Sequence, residues 1–246
     1  TFYGDDFTGS SAVMEVLSFA GVPTMLFMDT PEPDILSQYP DLQAIGVAGL
    51  ARSKDPAWMK ANLPPVFEAL KTLGAPVTHY KVCSTFDSAP EVGSIGVATE
   101  LGAAIFGGDW IPLVVGAPAI RRYQAFGQLF AGAGQVVYRL DRHPVMSRHP
   151  VTPMNEADLG RHLSLQTDLP VGIVDLASMK AAGSDRAVAQ CLSEGATILA
   201  IDVVDDCTLA EAGRLVWRGG EDTVFAVGSQ GVEYALVAHW RASGMK

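Results

Sequence analysis

Short apolar runs recur along the chain at 22–28, 44–47, 77–82, 111–115, 136–138, 171–174, 198–203 and 223–227, after a first short strand that ends at Tyr3-Gly4. Between most of them lie segments with apolar residues at three- and four-residue steps: 10–20, 56–73, 91–106, 156–165, 184–192, 209–217 and 232–240. Strands that alternate with amphipathic helices predict an α/β fold, a mostly parallel, Rossmann-like sheet with helices on both faces. The main irregular stretches are the proline-rich 29–33 and the Pro/Arg/His segment 139–153, and the second predicts a boundary between two α/β lobes. Neither a solenoid repeat nor a low-complexity tract interrupts the pattern.

Composition narrows the function classes. With 246 residues, 48% hydrophobic and 18% charged, the chain has material for one large or two modest cores. A net charge of −10 argues against a nucleic-acid partner, because phosphate binding along a duplex needs a broad basic surface. Apolar runs stay well short of the roughly 18 residues of a membrane span, and no leader pattern precedes the first strand, so the expected location is cytoplasmic with no membrane partner. Thr1 already lies inside an apolar strand, which leads us to expect trimming at the N-terminus. Cys83, Cys191 and Cys207 are odd in number and lack CxxC or Cys/His spacing, so neither a disulfide nor a metal site is expected.

In such a sheet, ligands bind outside the carboxyl ends of the strands, and the polar motifs fall there. Tyr3-Gly4-Asp5-Asp6-Phe7-Thr8-Gly9-Ser10 ends a strand and opens a helix. Strand alternation predicts that Asp5 and Asp6 face different environments and that only one lines the crevice; capping of the helix by Asp6 or Thr8 is the plainer alternative. Lys81-Val82-Cys83-Ser84-Thr85-Phe86-Asp87-Ser88 leaves a later strand, and Ser88 through Glu91 has capping-box spacing, predicting a helix start there. Gly93 and Gly96 in its first turns imply that something approaches that backbone closely. The segment 139–153 is locally basic and holds Arg148, His149 and Thr152, with a helix cap predicted at Asn155; guanidinium groups there suit an anion. Arg121-Arg122-Tyr123 follows another strand, and Gly228-Ser229-Gln230-Gly231 resembles a weak anion nest. No GxxxxGK[ST] motif is present.

Taken in order, YGDDFTGS at 3–10, KVCSTFDSAPEVGSIG at 81–96, RHPVTPMNEADL at 148–159 and VGSQG at 227–231 resemble the four-carbon acid sugar kinase family. The resemblance spans essentially the whole chain. It implies that residues 1–246 are a sugar-acid-binding N-terminal domain, with a C-terminal nucleotide-binding domain of comparable size absent from this chain. The implied reaction transfers the γ-phosphoryl of ATP to the terminal hydroxyl of threonate, erythronate or a 3-oxo-tetronate, with ATP and Mg²⁺ bound mainly by the absent domain. Side-chain chemistry at the matched positions then assigns Asp6 as the carboxylate that orients or deprotonates the hydroxyl, with Asp5 as its substitute. Lys81, Ser84, Thr85, Arg148 and His149 would hold the acid, assisted by Thr152, and Gly228 and Gly231 are the candidates on the nucleotide side. The expected partner is a small sugar acid, with homo-oligomerisation left open.

The chain departs from the family pattern where many relatives read Ala-Asp-Asp-x-Thr-Gly-Ala-x-Asp and Lys-x-Asp-Ser-Thr-x-Arg-Gly. It has Gly4, Ser10 and Ala12 at the first motif and Cys83, Asp87 and Ser88 at the second. Asp87 in place of Arg reverses a charge in the expected pocket, and this version of the motif resembles the 3-oxo-tetronate kinase branch. Two other readings compete. One is a non-catalytic module that binds or senses a small carboxylate. The other is a metal-dependent phosphohydrolase with Asp6 as nucleophile, disfavoured because Gly4 stands where such enzymes carry a first Asp.

Overall fold

A computed structural model describes residues 1–218 and 223–245. The elements in chain order are β1 (Phe2–Gly4), α1 (Phe7–Phe19), β2 (Thr24–Phe27), α2 (Pro33–Leu36), β3 (Ala44–Ala48), α3 (Pro56–Thr72), β4 (Val77–Lys81), α4 (Ile95–Phe106) and β5 (Ile111–Val114). They continue with β6 (Arg122–Ala125), β7 (Gln128–Ala133), β8 (Val136–Arg139), α5 (Leu159–Leu163), β9 (Val171–Val174), α6 (Leu176–Lys180), α7 (Ser184–Ser193), β10 (Ile198–Ile201), α8 (Asp206–Val216), β11 (Val224–Gly228) and α9 (Gly231–Ala242).

Eight strands form one parallel sheet in the order β2-β3-β1-β4-β11-β5-β10-β9. The expected two lobes are therefore corrected: β11 inserts between β4 and β5, so early and late parts of the chain share one sheet. The run at 136–138 is β8, which belongs to a separate antiparallel sheet β6-β7-β8. Its partners β6 and β7 were not predicted, because Arg122–Ala125 and Gln128–Ala133 mix polar and small residues without a clear apolar run. The Asp202 carboxylate ties this small sheet down, accepting from the amides of Phe126, Gly127 (3.0 Å) and Leu176 (2.8 Å).

Apolar side chains cover both faces of the large sheet. Met59, Leu63, Phe67 and Leu70 of α3 and Ile95, Ala98 and Phe106 of α4 meet Tyr3, Tyr80 and Phe225 on one side. Leu209, Ala212, Leu215 and Val216 of α8 and Val232, Ala235 and Leu236 of α9 pack on Val114, Leu199, Ile201 and Ala226 on the other. Burial of such side chains at about 1.5–3 kcal/mol each makes these two layers the main source of stability. Among the described residues, no helix is long and apolar enough to cross a membrane.

Two helix starts differ from expectation. The helix after β4 begins at Ile95 with Ser94 as N-cap, because Ser88 spends its hydroxyl elsewhere. Likewise α5 is capped by Asp158, which accepts from the Arg161 amide, and not by Asn155. From β1 the chain moves to β3 and β2 on one side and to β4 and beyond on the other. That reversal opens a crevice at the carboxyl ends of β1 and β4.

Candidate functional site

Asp5 and Asp6 lie in the bend after β1, past the last residue of regular strand, and there the alternation rule lapses. The expectation that they face different environments is corrected, since one guanidinium holds both. Arg52 donates from Nε to Asp5 Oδ2 (3.1 Å), from Nη2 to Asp5 Oδ1 (2.6 Å) and from Nη1 to Asp6 Oδ2 (2.7 Å). Arg52 sits in the 3-10 turn Ala51–Ser53 just after β3, the neighbour of β1, and its own amide donates to Asp5 O (3.0 Å). The two carboxylates differ in access: the Asp5 side chain is 4% exposed and that of Asp6 28%. Burial pushes the Asp5 carboxyl above its ordinary value against the pull of Arg52. Burial also works against the Arg52 charge, but the ion pair with Asp5 prevails and holds the guanidinium above its usual range.

Asp6 also caps α1, accepting from the Gly9 amide at Oδ1 (2.7 Å). The capping alternative is thus realised, and it leaves the second oxygen for Arg52. Gly9 is required here: a Cβ would stand 2.5 Å from Asp6 Oδ1 and 2.7 Å from Lys81 Nζ. The departures at positions 4 and 10 are a matched pair. A methyl on Gly4 would lie 1.9 Å from Ser10 Oγ, and that hydroxyl instead fills the space and donates to Asp6 O (2.6 Å).

A cavity of about 400 Å³ opens over these strand ends. Asp5, Asp6 and Arg52 form one wall, Cys83, Thr85 and Asp87 a second, and His149, Val151 and Thr152 a third. Thr85 Oγ1 donates to Asp87 Oδ1 (2.6 Å) and Thr152 Oγ1 to Asp87 Oδ2 (3.2 Å). Burial would raise the Asp87 carboxyl, but the bonds from Thr85 and Cys83, with Arg52 and His149 nearby, keep it below its ordinary value. Burial pushes the Cys83 thiol up, so Cys83 faces the cavity as a neutral group. The Thr152 amide donates to His149 Nδ1 (3.0 Å), which places the imidazole proton on Nε2.

Of the residues expected at the site, Asp5, Asp6, Thr85, His149 and Thr152 line this cavity, and Lys81, Ser84 and Arg148 do not. Lys81 is 2% exposed and lies under Gly9, donating to Val82 O (2.6 Å). Its burial lowers the ammonium pKa against the attraction of Asp5. Arg148 is the exposed last residue of the 3-10 turn Met146–Arg148 and is not among the residues that line the cavity. Gly228 and Gly231 are also accounted for by packing. A Cβ on them would meet Val114 O at 2.0 Å and Gly116 O at 2.2 Å, and the Gly231 amide already donates to Ser229 Oγ (2.9 Å). The close approach inferred at Gly93 is that of Arg52, whose carbonyl oxygen would stand 2.5 Å from a Cβ there.

Arg52 is the residue that sequence reasoning missed. The signal was available, because Leu50-Ala51-Arg52-Ser53-Lys54 follows the 44–47 run as directly as the other motifs follow theirs.

Fold and cavity together define an α/β domain whose polar strand-end pocket suits a small, oxygen-rich ligand. Residues 1–236 match the model of the sugar-binding N-terminal domain family, and the chain belongs to that family. It is 50% identical over 244 residues to a 3-oxo-isoapionate kinase of Paraburkholderia graminis, covering 99% of this chain and 52% of that protein. It is 32% identical to a 3-oxo-tetronate kinase of Methylobacterium radiotolerans, covering 98% of this chain and 54% of the relative. A crystal structure of a Haemophilus influenzae protein from a domain family of unknown function superposes with TM-score 0.82 at 26% identity, covering all of this chain and 56% of that one. The chain thus spans about half the length of the curated relatives it matches.

Proposed function

We propose that this chain is the substrate-binding half of an ATP-dependent kinase that phosphorylates a 3-oxo sugar acid on its terminal hydroxyl. Substrates named for the relatives are 3-oxo-isoapionate and 3-oxo-tetronate, and the higher identity favours the first. The observation that carries the reading is the Asp5–Arg52–Asp6 cluster at the β1/β4 crevice, which fixes one accessible carboxylate at the mouth of the cavity.

Asp6 is the working carboxylate. Its Oδ2 keeps a lone pair beyond the bond from Arg52 and accepts the substrate hydroxyl, orienting that oxygen for attack and taking its proton as phosphoryl transfer proceeds. Asp5, buried and engaged by both of its oxygens, positions Arg52. Arg52 has five N–H groups and spends three on the two aspartates, so two remain for ligand oxygens. His149 Nε2–H and the Asp87 carboxylate offer a donor and an acceptor to the keto and hydroxyl groups on the opposite wall. Among the described residues no three His, Cys, Asp or Glu side chains are grouped to hold a metal ion between them. We assign ATP and Mg²⁺ to a nucleotide-binding domain beyond this chain and place the activity in the cytoplasm.

The test uses the whole reading frame that encodes this chain, with ATP and a panel of four-carbon and branched five-carbon 3-oxo acids. ADP release is expected with at least one of them, and Asp6→Asn is expected to lower kcat about 100-fold or more with little change in KM. Failure of every acid to elicit ADP release overturns the kinase reading. Tetronate binding without turnover would favour the sensing module instead.

A further inference from the structure

Arg122 is the cation that the site as described leaves unexplained. Arg52 is neutralised by Asp5 and Asp6, whereas Arg122 forms no ion pair among the described residues. Its Nη1 donates only to the carbonyls of Ile120 (3.2 Å) and Arg121 (3.3 Å), and its Nε is buried with no acceptor. Two residues on, and therefore on the same face of β6, Gln124 is fully buried. Gln124 Oε1 accepts from the Val115 amide (3.0 Å), and Nε2 has no acceptor. One face of one strand thus carries two buried N–H donors that nothing in the described chain satisfies. Buried donors are nearly always paired, and a buried cation without a counter-ion is costly.

Neither Arg122 nor Gln124 is among the residues that line the cavity, and the topology sets their strand on the side of it away from Asp5 and Asp6. β6 starts beside the carboxyl end of β5 through the Ala117↔Arg122 bridge, and only β11 separates β5 from β4, whose exit carries Cys83. The Arg122 guanidinium lies within electrostatic reach of Cys83, which lines the cavity, and burial lowers its pKa. The other charged or titratable groups near it are Arg121 and His143, and His143 Nδ1 accepts from the Val145 and Met146 amides, so no acid faces Arg122 from its own surroundings. Three strand spacings, about 14 Å, separate the ends of β1 and β5. An aspartate reaching in from one side and an arginine from the other leave room between them for a molecule of four or five carbons.

We propose that Arg122, with Gln124 beside it, is the oxyanion anchor just beyond the Cys83 wall of the cavity and takes the carboxylate of the sugar acid whose hydroxyl faces Asp6. This assignment rests on the sugar-acid reading above. It supplies the anion contact that Arg148 does not make, and it explains how an acidic pocket holds an acid: the acidic wall meets the hydroxyl end and the cationic strand meets the carboxylate.

The test is calorimetric titration of the purified 246-residue chain with 3-oxo-tetronate, 3-oxo-isoapionate and D-threonate, and separately with inorganic phosphate. For the acid that binds best, Arg122→Met is expected to raise Kd about 10- to 100-fold, the range of a charge-assisted hydrogen-bond pair, with Arg148→Met unchanged. Should Arg122→Met fail to fold, Arg122→Lys decides, because it keeps the charge and loses the planar fork; a rise in Kd of about tenfold is expected. Wild-type affinity in a folded Arg122 variant overturns the anchor and leaves the sugar-acid reading intact. Loss of phosphate binding in that variant with threonate binding retained overturns the carboxylate assignment, since the anchor would then serve a phosphoryl group. Absence of binding by the wild-type chain to all three acids overturns the sugar-acid reading and the anchor with it.

Discussion

The two ends of the parallel sheet carry cavities of similar size whose polar groups have different origins. At the carboxyl ends of the strands, about 400 Å³ is walled by carboxylates, a guanidinium, hydroxyls and an imidazole that bond to one another across three loops. At the amino ends, about 370 Å³ is walled largely by apolar side chains, among them Phe2, Leu17, Trp217, Leu236 and Trp240. Its polar groups are Thr1, Gln43, Arg241 and the His79–Glu233 pair (2.6 Å), with Glu233 Oε2 left without a partner among the described residues. The difference follows from handedness and polarity. Each β-α-β crossover begins its helix at the carboxyl end of a strand, so capping side chains and free amides collect there and the helix C-termini collect at the other end. Volume alone would not separate the two cavities; the origin of their polar groups does.

The largest effect expected from breaking this contrast is at Arg52. Arg52→Met leaves Asp5 buried beside Asp6 with only the Lys81 ammonium to offset them and should cost about 3 kcal/mol in urea-unfolding free energy, together with loss of tetronate binding. A cost below about 1 kcal/mol would mean that the cluster does not hold the carboxyl end together.

Next in size is an acid effect behind the same cavity. His162 Nε2 bonds Ser88 Oγ (2.8 Å), which Gln166 Nε2 also reaches (2.9 Å), and burial pushes the imidazole down to about 4 from 6.5. Between those pH values the unfolded chain takes up a proton that the folded chain refuses, so stability falls as pH drops from about 6.5 to 4, by roughly 2–3 kcal/mol in all. His162→Gln should remove that part of the slope; denaturation curves with the same pH dependence in both proteins would contradict the assignment.

The smallest effect is at the His79–Glu233 pair. Glu233→Gln should change stability by about 1 kcal/mol and leave tetronate affinity unchanged, since neither residue lines the carboxyl-end cavity. A parallel loss of affinity would show that the two cavities are not independent.

Much of this contrast was legible in the sequence. Alternating apolar runs and amphipathic segments define the parallel sheet because packed strands and helices impose their periods directly. Asp5, Asp6, Thr85, His149 and Thr152 line the cavity because strand ends are where such folds expose polar groups. What escaped depends on contacts distant in sequence. Nothing local to Arg52 reports that its partners lie 46 and 47 residues earlier. Lys81 looked like a ligand contact because an isolated lysine ends an apolar strand, and only the packing of Gly9 above it shows that it is sealed in. Ser88 has capping-box spacing yet bonds His162, 74 residues away, a tertiary contact that outweighs a local cap.

The most direct test of the central claim, that the acidic strand-end cavity and not its amino-end counterpart receives the sugar acid, is a map of amide chemical-shift changes in the ¹⁵N-labelled chain as threonate is added. The account predicts that the perturbed amides cluster at Asp5, Asp6, Gly9, Arg52, Cys83, Thr85 and Thr152. Changes centred instead on Gly21, Gln43, Trp217 and Trp240, around the amino-end cavity, would contradict it.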